Sequence, residues 1–244
     1  PDSDLHLPRR ARARSPSAAY DRNRGLCSTS MAVDELAALE TLQGLDALQD
    51  VVGSLVISDN EQLIALTGLG NLISIGKDLR IERNDRLDSL LGLASLENIA
   101  GSLSIQGNAE MLTAQGAEAL AAVGQDLTVR ANQALVQLGA WPALITIGGD
   151  LILADNDHLL AVADPDQHSP LALALTAIEG ALTVHNNRRL ASLNGLGALR
   201  RIAGDLRVQF NLALESLDPG FAALEQVGGD VLIQGSFINM LGFD

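Results

Sequence analysis

The pattern Leu-x-Ile/Val/Leu-x-x-Asn recurs along this chain at a nearly constant interval, and such a periodicity restricts the fold more than any local propensity does. It stands at Leu55-Ile57-Asn60, Leu79-Ile81-Asn84, Leu103-Ile105-Asn108, Leu127-Val129-Asn132, Leu151-Leu153-Asn156, Leu182-Val184-Asn187 and Leu206-Val208-Asn211, with a degenerate copy at Val231-Ile233-Ser236. The Asn-to-Asn steps are 24, 24, 24, 24, 31 and 24 residues, then 25 to Ser236. Between one Asn and the next strand-like pair, apolar residues follow at steps of three: Leu87, Leu90, Leu93, Leu96 and Ile99 after Asn84, and Leu190, Leu193, Leu196, Leu199 and Ile202 after Asn187. A Gly-containing turn such as Gly148-Gly149-Asp150 closes the unit.

The Leu-x-Ile pair has the period of two that a half-buried strand requires. A step of three held over five positions suits neither a strand nor an α-helical stripe. It suits short extended pieces joined by corners, each corner turning one Leu inward. The reading is therefore an all-β chain, a right-handed β-helix or leucine-rich solenoid of about eight coils of 24 residues over positions 31–244. Coils stacked at the strand spacing of about 4.8 Å make a rod of roughly 40 Å. No coil can bury its own apolar face, so each depends on its neighbours. That dependence explains why 45 of the 244 residues are Leu while aromatics make up only 2%. Identical aliphatic wedges stack, and bulky rings do not.

The column Asn60, Asn84, Asn108, Asn132, Asn156, Asn187 and Asn211 reads as structural. A carboxamide both donates and accepts, and stacked amides satisfy backbone groups that a corner leaves unpaired. A second column precedes the strand Leu: Asp78, Ser102, Asp126, Asp150, Ala181, Asp205 and Asp230. Stacked carboxylates repel mildly. The column reads as turn residues accepting backbone N–H bonds, with calcium binding as the alternative.

The pattern Leu-x-x-Leu-x-x-Leu-x-x-Ile-Gly-x-x-Leu-x-Ile-x-x-Asn-x-x-Leu resembles the receptor L-domain family, over roughly Leu36 to Leu241 and most clearly at Leu55–Ile105 and Leu182–Val208. Ordinary leucine-rich repeats carry Asn-x-Leu, whereas here the next Leu stands at Asn+3, as in Asn60 to Leu63. The resemblance implies a leucine-rich right-handed β-helix, a binding module rather than an enzyme, and a cell-surface or secreted setting. Two departures point toward an intracellular or organellar one. Receptor L domains carry end-capping disulfides, while the only cysteine here, Cys27, precedes the repeats, and no Asn-x-Ser/Thr sequon occurs.

The net charge of −14 is uneven. Residues 1–30 hold six Arg against three Asp, +3, which leaves −17 for the repeats. The segment is rich in Arg, Ser and Ala and lacks apolar periodicity, so it reads as a disordered tail, with a targeting remnant or an extraneous leader before Met31 as alternatives. Ser30 followed by Asp34 and Glu35, with Val33, Leu36 and Leu39 on one face, predicts a short N-terminal capping helix over Ser30–Leu42. A second short helix is expected in the Ala-rich stretch 115–123. The apolar C-terminal residues Phe237, Ile238, Met240, Leu241 and Phe243 read either as a cap or as a surface for a partner.

An acidic rod is a poor ligand for nucleic acid, and no run of 18 apolar residues suggests membrane insertion. One cysteine rules out a disulfide framework, and no cofactor or metal is expected. The seven extra residues between Asn156 and Asn187 form a candidate contact loop containing Asp164, Asp166 and His168, where a surface loop, a protein contact and a metal site are the alternatives. The outward strand positions bring Arg80, Arg83, Arg130 and Arg207 to one candidate contact face. Carboxylates that are periodic rather than clustered, together with scarce aromatics, disfavour a glycosidase. The expected function is a protein-interaction scaffold with protein partners. The alternative is a structural subunit of an intracellular or organellar assembly.

Overall fold

The computed structural model describes residues 20–139, 141–163 and 174–235. They form an all-β solenoid of about eight coils, right-handed in type, with no helix among the described residues. One face is a nine-stranded parallel sheet of four-residue strands: Met31–Asp34, Leu55–Ser58, Leu79–Glu82, Leu103–Gln106, Leu127–Arg130, Leu151–Ala154, Leu182–His185, Leu206–Gln209 and Val231–Gln234. Pairing runs Leu on Leu and Ile on Ile, as in Leu55↔Leu79 and Ile57↔Ile81. A second sheet is built from two-residue strands, from Leu26–Cys27 through Asp50–Val51 to Gln226–Val227, again parallel coil to coil. Isolated bridges Thr113↔Gln137, Gln137↔Ala161 and Ala161↔Ser192 mark a third, narrower line of pairing.

The steps of three have a local cause. Within a coil, the backbone N–H of one inward Leu donates to the carbonyl of the inward Leu three residues before it. Leu69 donates to Leu66 at 3.1 Å and Leu72 to Leu69 at 2.9 Å, and Leu196 and Leu199 repeat the pattern with Leu193 and Leu196. Each corner is thus a tight turn whose first and last residues both point inward. The leucines at those positions are buried, and burying each contributes about 1.5–3 kcal/mol. Gly68 sits at one such corner with φ +112, and a Cβ there would overlap the Leu42 carbonyl of the preceding coil. Neither the dihedral nor the space admits a side chain.

Three expectations are corrected. Residues Ser30–Leu42 form no capping helix. Met31–Asp34 is the first strand of the long sheet, in register with Leu55–Ser58, and the Ser30 Oγ accepts the Ser54 N–H at 3.0 Å instead of capping its own segment. A partner strand one coil away offers Met31 a backbone bond at 2.8 Å, from its N–H to the Ser54 carbonyl. An isolated short helix would have had to nucleate unaided.

The tail reading fails for residues 20–30. Tyr20–Asp21 pairs antiparallel with Leu26–Cys27, which itself pairs in parallel with Asp50–Val51. This reversal ends the parallel stack and shields its edge, while residues 1–19 lie outside the described residues. The Ala-rich stretch 115–123 keeps the coil geometry, with Ala117, Leu120 and Val123 inward and Ala122–Val123 a strand. Its small residues have a packing role. Trp141 occupies the Ala117 register one coil on, fully buried, and its indole Nε1 donates to the Ala114 carbonyl at 2.9 Å.

Candidate functional surface

Two polar ladders run the length of the rod, and both belong to the scaffold. Every Asn of the first column is buried. Asn132 shows the arrangement. Its Oδ1 accepts the backbone N–H of Asn108 at 3.0 Å and the Asn108 Nδ2 at 3.2 Å. Its Nδ2 donates to the Ile105 carbonyl at 2.9 Å and to the Asn156 Oδ1 at 3.4 Å. The same links connect Asn60, Asn84, Asn108, Asn156, Asn187 and Asn211. At the N-terminal end the Asn60 Oδ1 accepts the Leu36 N–H at 3.1 Å. These side chains spend their hydrogen bonds inside the wall.

The Ser/Asp column forms the second ladder. Side-chain oxygens of Ser54, Asp78, Ser102, Asp126 and Asp150 accept the N–H of the same register one coil on, at 3.3, 3.1, 3.2, 2.8 and 2.7 Å. Asp205 accepts from Asp230 in the same way. The turn-residue reading accounts for the column. Ala181 is its one gap, because a methyl cannot accept the Asp205 N–H.

The register position before each ladder Asn, continued by Glu35 before Leu36 and Gly235 before Ser236, follows a rule that the sequence pattern did not disclose. Glu35, Asp59, Arg83, Ala131, Asp155, Asn186 and Phe210 all have φ between 52 and 58, and Gly107 and Gly235 complete the column at 65. A left-handed conformation costs an ordinary residue about 1–2 kcal/mol. Gly107, Gly235, Asn186, Asp59 and Asp155 are residue types that tolerate it. Arg, Ala and Phe in the same register conceal it.

The predicted contact arginines all lie on the long-sheet side, and each is held by a carboxylate. Arg80 pairs with Asp78 at 3.3 Å and Arg130 with Asp155 at 2.9 Å, and Arg207 pairs with Asp205. Arg83 grips Asp59 with two parallel bonds of 2.7 and 2.6 Å. The bond from Arg83 holds the Asp59 carboxyl below its usual range and pushes the Arg83 guanidinium further up. Asp155 is likewise lowered, first by the Asn186 amide at 2.8 Å and then by Arg130. The arginines are spread over six coils rather than gathered. Asp164, Asp166 and His168 of the candidate loop lie outside the described residues. No group of three or more His, Cys, Asp or Glu is placed to hold a metal among the described residues, and no helix there is long and apolar enough to cross a membrane.

Near the C-terminal end of this face the structure exposes a group that the sequence pattern passed over. Phe210 is 42% exposed and Leu212 48% exposed, on the two sides of the inward Asn211. The Phe210 ring meets His185 edge-on, with centroids 5.4 Å apart at 82°, and covers the site where a Cβ on Gly235 would stand. Compared with known proteins, the chain matches no family model, no curated protein and no solved structure.

Proposed function

We propose that the chain is a non-enzymatic protein-interaction module whose long-sheet face binds partner proteins, and that it is a divergent relative of the receptor L-domain family. One observation carries the binding reading: the residues that build the rod and the residues that face outward are cleanly separated. The inward positions are Leu, Ile, Val and Asn in coil after coil. The outward second strand position reads Ala32, Val56, Arg80, Ser104, Thr128, Ile152, Thr183, Arg207 and Leu232. The fold imposes nothing on that column, so it is free to encode recognition along an extended surface. The carboxylates beside it argue in the same direction. Asp59 and Asp155 are held ionised by their partners, the opposite of what a general acid needs.

The test is affinity capture from the native source with the full chain, beside a variant carrying Arg80→Glu and Thr128→Arg on the outward column. A discrete partner retained by the parent chain and lost by the variant supports the reading. A chain that migrates alone as a monomer and captures nothing overturns it. A structural-subunit role is the second reading, favoured by the last described strand. There Val231 is 56% exposed, whereas Leu206 in the same register is only 4% exposed. A protein found only within one large complex would establish that role.

A further inference from the structure

We infer that Asn194 is a modification site gated by the fold, at which the opening of one corner lets the side chain convert to aspartate or isoaspartate. Of all the asparagines in the chain, Asn194 alone is followed by glycine. That neighbour matters, because a residue without a Cβ leaves its backbone nitrogen unhindered. The Gly195 nitrogen attacks the Asn194 Cγ and forms a C–N bond. The carboxamide nitrogen leaves as ammonia, taking the proton that Gly195 gives up, and a succinimide ring is closed. Water then opens the ring. Attack at one carbonyl gives aspartate, and attack at the other gives isoaspartate, in which the main chain runs through the former side chain.

The reacting groups at this corner are uncommitted. Among the described residues the Asn194 carboxamide makes no hydrogen bond, and the Gly195 N–H has no acceptor. Other asparagines have theirs engaged. Those of the ladder are buried and bonded within it. Asn71 donates to the Asp46 carbonyl, and Asn186 to the Asp155 carboxylate.

The folded corner keeps these groups apart. The Leu196 N–H donates to the Leu193 carbonyl at 3.1 Å, and Gly195 has φ 107. Leu193–Leu196 is therefore a type II turn, whose second residue, Asn194, holds ψ at about +120°. Ring closure needs the Gly195 nitrogen and the Asn194 Cβ to eclipse each other about the Asn194 Cα–C bond, and that ψ turns them away from each other. Rotation about the bond would also swing the Asn194 carbonyl off the Ala163 N–H, which donates to it from the preceding coil at 2.8 Å. On the other side the Asn194 N–H is held by the Ser192 Oγ at 3.0 Å. Opening one corner costs less than unfolding the whole rod, so the gate is local. Its consequence is permanent. Isoaspartate lengthens the main chain of the corner by one atom, and an aspartate at position 194 adds a charge in the register of Asp218, seven residues past the next ladder Asn.

The experiment incubates the full chain, folded or in urea, in mildly alkaline buffer. Residue 194 is followed by mass spectrometry of the tryptic peptide 190–200, with isoaspartate separated from aspartate by chromatography and an unincubated digest as background. In urea, residue 194 is expected to convert faster than any other asparagine, and in the folded chain at least ~10-fold more slowly than in urea. Ser192→Ala removes the acceptor of the Asn194 N–H and is expected to raise the folded rate roughly 3–10-fold, with the rate in urea unchanged. In the parent chain, low urea is expected to raise the rate before the Trp141 fluorescence changes, which keeps the test independent of whether Ser192→Ala folds. Faster conversion of another asparagine in urea overturns the site. Equal rates in folded and unfolded chains overturn the gate. A rate that climbs only together with the Trp141 signal, or a folded Ser192→Ala chain that converts no faster than the parent, overturns local control by the corner.

Discussion

Replacing Asn132 with Ala tests whether the amide ladder holds the wall together. Asn132 is fully buried, and four side-chain hydrogen bonds disappear with its carboxamide. The bond from its own backbone N–H to the Asn156 Oδ1, 3.0 Å, survives. Two backbone groups lose a side-chain partner and gain no water, the Asn108 N–H and the Ile105 carbonyl. Each buried group left without a partner costs about 1–3 kcal/mol. Two such groups and the small void give a loss of roughly 3–6 kcal/mol, a large share of an ordinary domain's stability. The assay is urea unfolding followed by the single tryptophan, Trp141, which is fully buried in the folded chain. Asn132→Asp sharpens the test. The new carboxylate accepts the Asn108 N–H but sets an oxygen against the Ile105 carbonyl. Burial and that oxygen raise its folded pKa above the unfolded value of about 3.9. A raised folded pKa makes stability complete below the unfolded value and lost as pH rises through the folded one. Asn132→Asp is thus more stable at pH 4 than at pH 7, relative to the parent chain. A loss below ~1 kcal/mol for Asn132→Ala, or no pH dependence for Asn132→Asp, refutes the ladder's structural role.

Three other outcomes follow from the same geometry. Ala181→Ser supplies an acceptor for the Asp205 N–H at the gap in the second ladder and adds about 1 kcal/mol; calorimetry should show a higher melting temperature, and a lower one contradicts the ladder's continuity. Gly68→Ala forces a Cβ against the Leu42 carbonyl at φ +112 and destabilises by more than about 1 kcal/mol, measured by the same unfolding assay; an unchanged midpoint would mean that the corner relaxes freely. Asp59 and Asp155 have lowered folded pKa values, so their contribution is present above the unfolded value and lost as pH falls through the lower folded value. The urea midpoint should hold from neutral pH to about pH 5 and decline below about pH 4, with a shallower decline for Asp155→Ala; an identical decline assigns the acid sensitivity elsewhere.

The scaffold was legible because its rule is repeated. Strand register, the buried Asn column and the inward leucines all follow from one 24-residue interval. The N-terminal capping helix failed for an instructive reason. Val33, Leu36 and Leu39 are spaced as on a helix face, but steps of three also describe the corners. Met31 and Val33 stand one interval before Leu55 and Ile57, and that register outweighed the capping chemistry of Ser30. The hairpin at Tyr20–Asp21 and Leu26–Cys27 was hidden because two-residue strands leave no periodic trace. The left-handed column was hidden by tertiary override. The ladder bonds on the following Asn fix the backbone there whatever residue precedes it, so Arg83, Ala131 and Phe210 carry a dihedral their types disfavour. The candidate contact arginines stand on the long-sheet side of the rod. For Arg83 and Arg130 the carboxylate comes from a neighbouring coil, a contact that only the folded geometry reveals, whereas Arg80 and Arg207 pair with the Asp two residues before them.

The link between Asn156 and Asn187 has a consequence for how such a chain can change length. Those two residues are 31 positions apart, yet the bond from the Asn156 N–H to the Asn187 Oδ1 is 3.1 Å, as between neighbours 24 apart. The ladder registers coils, not residues. Extra residues looped out between two rungs are invisible to it, and a whole rung could be removed (residues 103–126, joining Ser102 to Leu127) with Asn84 then meeting Asn132 as it now meets Asn108. A protein built this way can be lengthened, shortened or embellished in discrete increments, and a coding segment of one interval is a natural unit for duplication.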